Sequence, residues 1–439
     1  MMFLYYFDLA LRSFRSARGL TVLMVLTIAM GIGASMTTLT TFRALSGDPL
    51  PGHSDTVLRV HLDAARRESA SPGREPDSQL TRFDAEALLR DRHALRQAAM
   101  AGGEVSVEPA PDAPGALKPF TSSARYTTAD FFAMFDVPFL YGQAWTEQDD
   151  ARGADVVVLS RKIAEKLFGN VNPVGQRLNL LGFPFTVVGV ADKWNMLPRA
   201  YLLRGGSPYG TGEEFLIPLS SAVRHETQHN GGMSCSGNVG PGWAARLASE
   251  CTWVTAWFET AAKGDRSELQ SWLDNYANDQ RKLGRLKRKA PNLLFNVTEW
   301  MEYTEVVGKD SKLQVWLAFG FLTLCLVNTV GLLLAKFSVR AAEIGVRRAL
   351  GASRVEIFRQ FLIETAVVGL VGGMLGLAFA FGALGLIGMT SKSMAVIATM
   401  DWQMLGLTFV ISVSAAIVAG LLPTWRACQV TPAIQLKSQ

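Results

Sequence analysis

The sharpest chemical signature in the 439-residue chain is His225-Glu226-Thr227-Gln228-His229, a literal H-E-x-x-H. On a helix, histidines four apart share one face and can hold zinc, with the glutamate as general base. Glu250 lies downstream, where a third ligand could be recruited. Against this, Gly231-Gly232 ends any helix directly after the second histidine, and the stretch falls in a loop after the strand-like FLIPLSSA. Three fixed positions in five also arise easily by chance. The expectation is no metal, with a membrane-tethered zinc protease kept as a rival reading. No G-x-x-x-x-G-K-[ST] stretch occurs, so this chain offers no P-loop to cradle ATP phosphates, and no cofactor is expected. Cys235 and Cys251 flank a Gly/Pro-rich insertion. In an oxidising compartment a disulfide between them would close a loop and stabilise by about 3 kcal/mol, two buried thiols being the alternative. Cys325 and Cys428 are expected to stay unbridged.

The elements that would position such groups are membrane spans. Hydrophobic residues make up 49% of the chain and charged ones 18%, too apolar for an ordinary soluble protein and too charged to lie wholly in lipid. The net charge of +5 fits basic residues at membrane edges better than a nucleic-acid footprint, and no nucleic-acid partner is expected. Phe3, Phe7, Leu11 and Phe14 form a stripe beside Arg12, Arg15 and Arg18, which suits a helix lying on the inner leaflet. No charge appears from Gly19 to Phe42, a run too long for a signal peptide and without an A-x-A site, so a retained first span is expected. Gly31, Gly33, Ala34 and Ser35 give it a small-residue face. The second span is Leu313–Ala335, whose Asn328 reads as interhelical hydrogen-bonding glue. The third, Thr365–Ser391, carries Gly369-x-x-x-Gly373 and Gly372-x-x-x-Gly376, and the fourth is Trp402–Trp425.

Between the second and third spans lies a basic elbow. Val339, Ala342, Val346, Ala349 and Leu350 fall on one helical face, and Arg340, Glu343, Arg347 and Arg348 on the other. Glu343 precedes Arg347 by four residues, the favourable order for an ion pair. Gly351 is placed to stop that helix, and Ser353 with Glu356 forms a capping box that starts the next. This run, EIGVRRALGAS followed by a glycine-rich apolar helix, resembles the coupling segment of FtsX/MacB-type permeases, the mechanotransmission class of ABC transporters. A basic loop held by anionic lipid would explain the charges but not the glycine stop, capping box and ion-pair spacing together.

The polar region 44–311 contains ADVVVL, a strand leading into a helix capped by Ser160, then the strands QRLNLL and FTVVGV joined around Gly182. With YTTADFFAMF upstream and FLIPLSSA (Phe215–Ala222) downstream, this stretch resembles the MacB-like periplasmic core domain. Thr252–Glu259 alternates like a strand, Arg266–Lys282 reads as helix, and Trp300–Val307 reads as a stalk into the second span. The basic run Arg281–Lys289 is expected to be a solvated face or a lipid or partner contact.

Basic residues set the orientation. The 336–359 loop holds Lys336, Arg340, Arg347, Arg348, Arg354 and Arg359, so the termini and elbow are expected in the cytoplasm and 44–311 outside. The expected architecture is a membrane α-helical protein with four transmembrane helices and a large α+β periplasmic domain inserted between spans 1 and 2. Its parts would be 1–43, 44–311 and 312–439, the last with spans at 313–335, 365–391 and 402–425 around a coupling segment at 336–362. The resemblance implies a bacterial inner-membrane permease that is not itself an enzyme. It implies a separate cytoplasmic ABC ATPase docked on the elbow, because full MacB proteins carry that domain on the same chain and this chain does not. It further implies a second permease copy or paralogue as dimer, and in efflux members a periplasmic adaptor and an outer-membrane channel. A non-transporting subunit that regulates an envelope enzyme or sensor is the alternative within the family.

Overall fold

The computed structural model describes residues 18–62, 79–110, 117–194, 196–203, 209, 212–235, 239–286, 291–306, 309–339, 346, 350–390 and scattered positions between 403 and 425. The interfacial helix expected before Arg18, the elbow residues Arg340, Glu343, Arg347 and Arg348, and the tail beyond 425 lie outside these residues. The chain divides into two units, Gly47–Val306 and the combination of Met1–Ser46 with Val307–Gln439.

In Gly47–Val306 the strands are β1 (Val57–His61), β2 (Leu80–Thr81), β3 (Arg96–Glu108), β4 (Phe120–Thr127), β5 (Phe139–Gly142), β6 (Val156–Ser160), β7 (Arg177–Leu180), β8 (Phe183–Ala191), β9 (Phe215–Pro218), β10 (His229–Asn230), β11 (Ser234–Cys235), β12 (Cys251–Glu259) and β13 (Leu293–Asn296). They run in the order β13-β1-β12-β3-β4-β9-β6-β8-β5, with β7 and β10 also paired to β3, and β2 and β11 to β12. Pairing is antiparallel except for β4–β9 and β6–β8, which are parallel.

Successive strand residues point to opposite faces, so an apolar run such as VVVL must be covered on both sides. It is: Val157 and Leu159 join one core with Ala99, Ala101, Phe215, Ile217, Ala256 and Phe258. Val156 and Val158 join the other with Ala98, Met100, Leu216 and Trp257. The helices Arg82–Asp91, Arg161–Phe168 and Arg266–Lys282 supply the first core with Leu88, Ile163, Leu167, Leu269 and Leu273. Phe131, Phe132 and Met134, from Asp130–Met134, and Trp300, from Val297–Tyr303, fill the second. The Ser160 side chain accepts from Ile163 N–H as the cap of its helix. The β7–β8 hairpin turns at Leu181 and Gly182, both at positive φ.

The other unit contains α1 (Arg18–Ser46), α2 (Lys309–Val339) and α3 (Arg354–Thr390). Among the described residues these three are long and apolar enough to cross a membrane. Most of the fourth expected span, 402–425, lies outside the described residues, and the described positions within it are helical. Helix α2 runs past Ala335 to Val339, so Lys336 belongs to a helix and not to the loop in which the charge pattern had placed it.

Candidate functional site

The elbow joins α2 to α3. Gly351 stands at φ +102°, a backbone conformation that favours glycine, three residues before the start of α3. Ser353 and Glu356 complete a reciprocal cap: Glu356 N–H donates to Ser353 Oγ at 3.2 Å, and Ser353 N–H donates to Glu356 Oε2 at 2.9 Å. From that cap α3 continues without a break to Thr390, while Leu350 is exposed beside Gly351.

At the root of the elbow the structure holds a feature that charge counting missed. Leu322, Cys325, Thr329, Leu333 and Lys336 are the buried stripe of α2, at the three- and four-residue steps of one helix face. Lys336 is fully buried there, and its Nζ is paired with Glu364 of α3, itself 2% exposed. Lys336 Nζ also lies 3.4 Å from Thr21 Oγ1 of α1, so three helices meet at one charge. Next to each charge is a ring, and Phe337 and Phe361 are 4.4 Å apart between centroids. The signal available beforehand was the stripe itself, which, followed from Leu322, ends on Lys336.

Asn328, expected as interhelical glue, is exposed among the described residues. It falls one position off the stripe, and 100° of rotation per residue turns it away while Thr329 turns inward. The small residues of α1 do lie against its neighbours. Added Cβ atoms at Gly31 and Gly33 would come within 3.0 Å of Cys325 Cβ and Phe379 Cβ. At Gly372 the added atom would meet Ile28 Cγ2 at 2.8 Å, and at Gly376 the carbonyl oxygen of Ala29 at 2.9 Å. Gly369 and Gly373 are also buried, and Ser35 Oγ donates to Ala318 O of α2 at 2.9 Å.

The H-E-x-x-H residues are not on one helix. The helix Leu219–Arg224 ends with His225 as its C-cap, Glu226 turns the chain at φ +51°, and His229 pairs with Gly103 in the sheet. His225 Nε2 meets Asp155 Oδ1 at 2.8 Å, and its ring stacks on Phe183 at 3.8 Å. Burial disfavours ionisation of Asp155, but hydrogen bonds from Arg224, Ser221 and His225 outweigh it and hold the carboxyl below its ordinary range. His229 packs beside Trp243 and Trp253, each 5.2 Å away, and burial lowers its pKa. Tyr126 OH donates to Gln228 O at 3.1 Å and Trp243 Nε1 to Thr227 O at 2.9 Å, so the segment is sewn to the sheet as an irregular loop. Glu250 is paired with Arg285, which also reaches Asp84 at 3.0 Å and so takes one cation of the basic run into an ion-pair cluster. Among the described residues no three His, Cys, Asp or Glu side chains are grouped to hold a metal.

Cys235 and Cys251 are bonded, directly opposite each other in the β11–β12 ladder. Elsewhere in this domain Asp150 borders a cavity of about 380 Å³. Burial pushes its carboxyl up to about 7, against the hydrogen bonds it accepts from Ala129 N–H and Trp145 Nε1.

Residues 21–256, more than half of the chain, match the family model of the MacB-like periplasmic core domain. Residues 315–432 match that of the FtsX-like permease C-terminal region. The chain is 27% identical over 313 residues to the pyoverdine export ATP-binding/permease protein PvdT of Pseudomonas entomophila (strain L48), covering 70% of this chain and 42% of that one. It is 25% identical over 297 residues to the macrolide export ATP-binding/permease protein MacB of Bdellovibrio bacteriovorus, covering 67% and 40%. With the ABC transporter permease YknZ of Bacillus subtilis (strain 168) it shares 23% identity over 295 residues, covering 66% and 64%. It thus spans about two fifths of the length of the two exporters. The periplasmic region of MacB from Actinobacillus actinomycetemcomitans aligns with a TM-score of 0.36 at 14% identity, over 58% of this chain and 95% of that structure.

Proposed function

Because the chain belongs to the FtsX/MacB-type ABC transporter permeases, we propose that it is the membrane subunit of such a transporter and relays motion from a separate ATPase to its outer sheet domain. The observation that carries this reading is the local construction of the elbow. A glycine stop and a reciprocal cap lead into α3, which continues unbroken through the apolar stretch. Displacing the elbow therefore displaces the helix.

In this reading the ATPase docks on 336–362, with Arg340, Glu343, Arg347, Arg348, Leu350 and Gly351 at or beside the contact. The inner membrane holds the helices, the termini face the cytoplasm, and the sheet domain lies in the periplasm. A second permease copy or paralogue completes the dimer. ATP hydrolysis stays on the partner, and this chain contributes no catalytic group. The cargo is an effluxed or envelope substrate, handed to a periplasmic adaptor and outer-membrane channel where these are present. Pyoverdine and macrolides are the cargoes for which two similar proteins are named.

Charge reversal of the elbow tests the reading. An exposed helical pair contributes only about 0.3–0.5 kcal/mol, so Arg347→Glu and Arg348→Glu should insert normally. Removing one partner of a desolvated pair at an interface costs roughly 2–5 kcal/mol, so both should lose ATPase co-purification or hydrolyse ATP without transport. Normal ATPase binding and transport by both variants, at wild-type membrane abundance, would make the elbow a lipid anchor and end this proposal. ATPase binding with no cargo moved by the wild-type chain would instead identify a regulatory subunit.

A further inference from the structure

We infer that Lys336 and Glu364 form an ionic clamp that fixes the register of α2 against α3, so that both legs of the elbow move as one body; the functional half of this inference rests on the coupling reading above. Both side chains are essentially removed from solvent, at 0% and 2% exposure. They come from the two helices that enter and leave the elbow, and Thr21 brings in a third. Only Phe337–Val339 separate Lys336 from the end of α2, whereas Arg354–Ile363 precede Glu364 in α3. At 1.5 Å per residue that leaves about 15 Å of capped helix on the elbow side of the pair. The stretch is a lever, and the pair sits at its fulcrum.

The apolar contact between Phe337 and Phe361 joins the two helices but is non-directional and selects a register only weakly. A charge pair does choose. Sliding α3 by one turn, about 5.4 Å, would strand an ammonium and a carboxylate apart in a dry interface, a far worse state than the paired one. The contact between Phe337 and Phe361, next to Lys336 and close to Glu364, reports that register directly.

The test uses the full chain in native membranes, with Cys325→Ala and Cys428→Ala. Phe337→Cys and Phe361→Cys are crosslinked by copper phenanthroline, and Phe337→Cys with Phe358→Cys reports a shifted register. With the native pair, the 337–361 crosslink should dominate. Glu364→Gln should lower its yield severalfold, and the exchanged pair Lys336→Glu with Glu364→Lys should restore it. The apolar pair Lys336→Met with Glu364→Leu keeps the folding test open if Glu364→Gln is not inserted. It should reach normal abundance yet divide its crosslinks between the two registers. Native crosslinking in Glu364→Gln, no restoration by the exchanged pair, or a single native register in the apolar variant would each overturn the clamp. None of these readouts needs an ATPase. Absence of ATPase binding by the wild-type chain would therefore defeat the coupling reading and leave the clamp standing.

Discussion

In the sheet domain Trp257, Phe258 and Trp300 fill the space between sheet and helices, whereas in the helical unit α1 meets its neighbours closely at Gly31, Gly33, Gly372 and Gly376. The domain gains by removing large apolar surface from water, about 25 cal/mol per Å². In a membrane, lipid tails are as apolar as leucine, so burying a ring between helices gains little. What remains is close contact, which small residues permit, and polar pairing, which Lys336 and Glu364 supply. The two units should therefore fail in opposite directions, the domain when bulk is removed and the helices when bulk is added.

The largest effects test that opposition. Trp300→Ala empties a fully buried site whose indole N–H donates to Ala200 O at 3.0 Å. It should cost the domain roughly 3–5 kcal/mol, read as a lowered first thermal transition of the full chain in detergent. Gly376→Leu should leave that transition in place but sharply reduce membrane abundance, because a Cβ added there would meet the Ala29 carbonyl oxygen at 2.9 Å. If Gly376→Leu accumulates normally, small-residue contact is not what holds α1 to α3.

Removing the disulfide is expected to come next. Cys235→Ala with Cys251→Ala opens a loop with a sequence separation of 16 residues, costing about 3 kcal/mol. The domain transition should fall by several degrees while helix crosslinking is unchanged.

A pH effect confined to the domain should be smaller. The folded Asp150 carboxyl holds its proton to about pH 7, while the unfolded one releases it near its ordinary value of about 4. Between those values the folded state binds more protons, so stability falls as pH rises and levels off above about 7. From pH 5 to 8 the loss attributable to Asp150 is on the order of 2 kcal/mol, after discount for its partial exposure. Asp150→Asn should flatten that slope in thermal melts, and an unchanged slope would remove Asp150 as its source.

The smallest effect is expected at the cap of α3. Ser353→Ala should cost about 1 kcal/mol, seen as faster hydrogen exchange at the first amides of α3 and none in the sheet. Faster exchange spread through the sheet domain would contradict a local role.

Features that depend on neighbours in the chain were legible from the residues alone. The apolar run of ADVVVL, the Ser160 cap, the hairpin around Gly182 and the Ser353–Glu356 box are each defined by residues close in the chain, and each is present in the structure. The apolar runs of α1, α2 and α3 are equally local, because length and composition alone mark a span.

Features that depend on what arrives from elsewhere were not legible. Gly231-Gly232 marks H-E-x-x-H as a loop, but nothing nearby shows that Tyr126 and Trp243, from distant parts of the chain, take its carbonyl groups and hold it to the sheet. That the buried face of α2 passes through Thr329 and leaves Asn328 exposed among the described residues depends on where the other helices pack. Lys336 counts as a loop cation until Glu364, beyond the elbow, meets it inside the helical unit. Backbone periodicity and capping are decided within a few bonds. The partner of a buried charge is decided by where a second helix packs, and no spacing along the chain encodes that position.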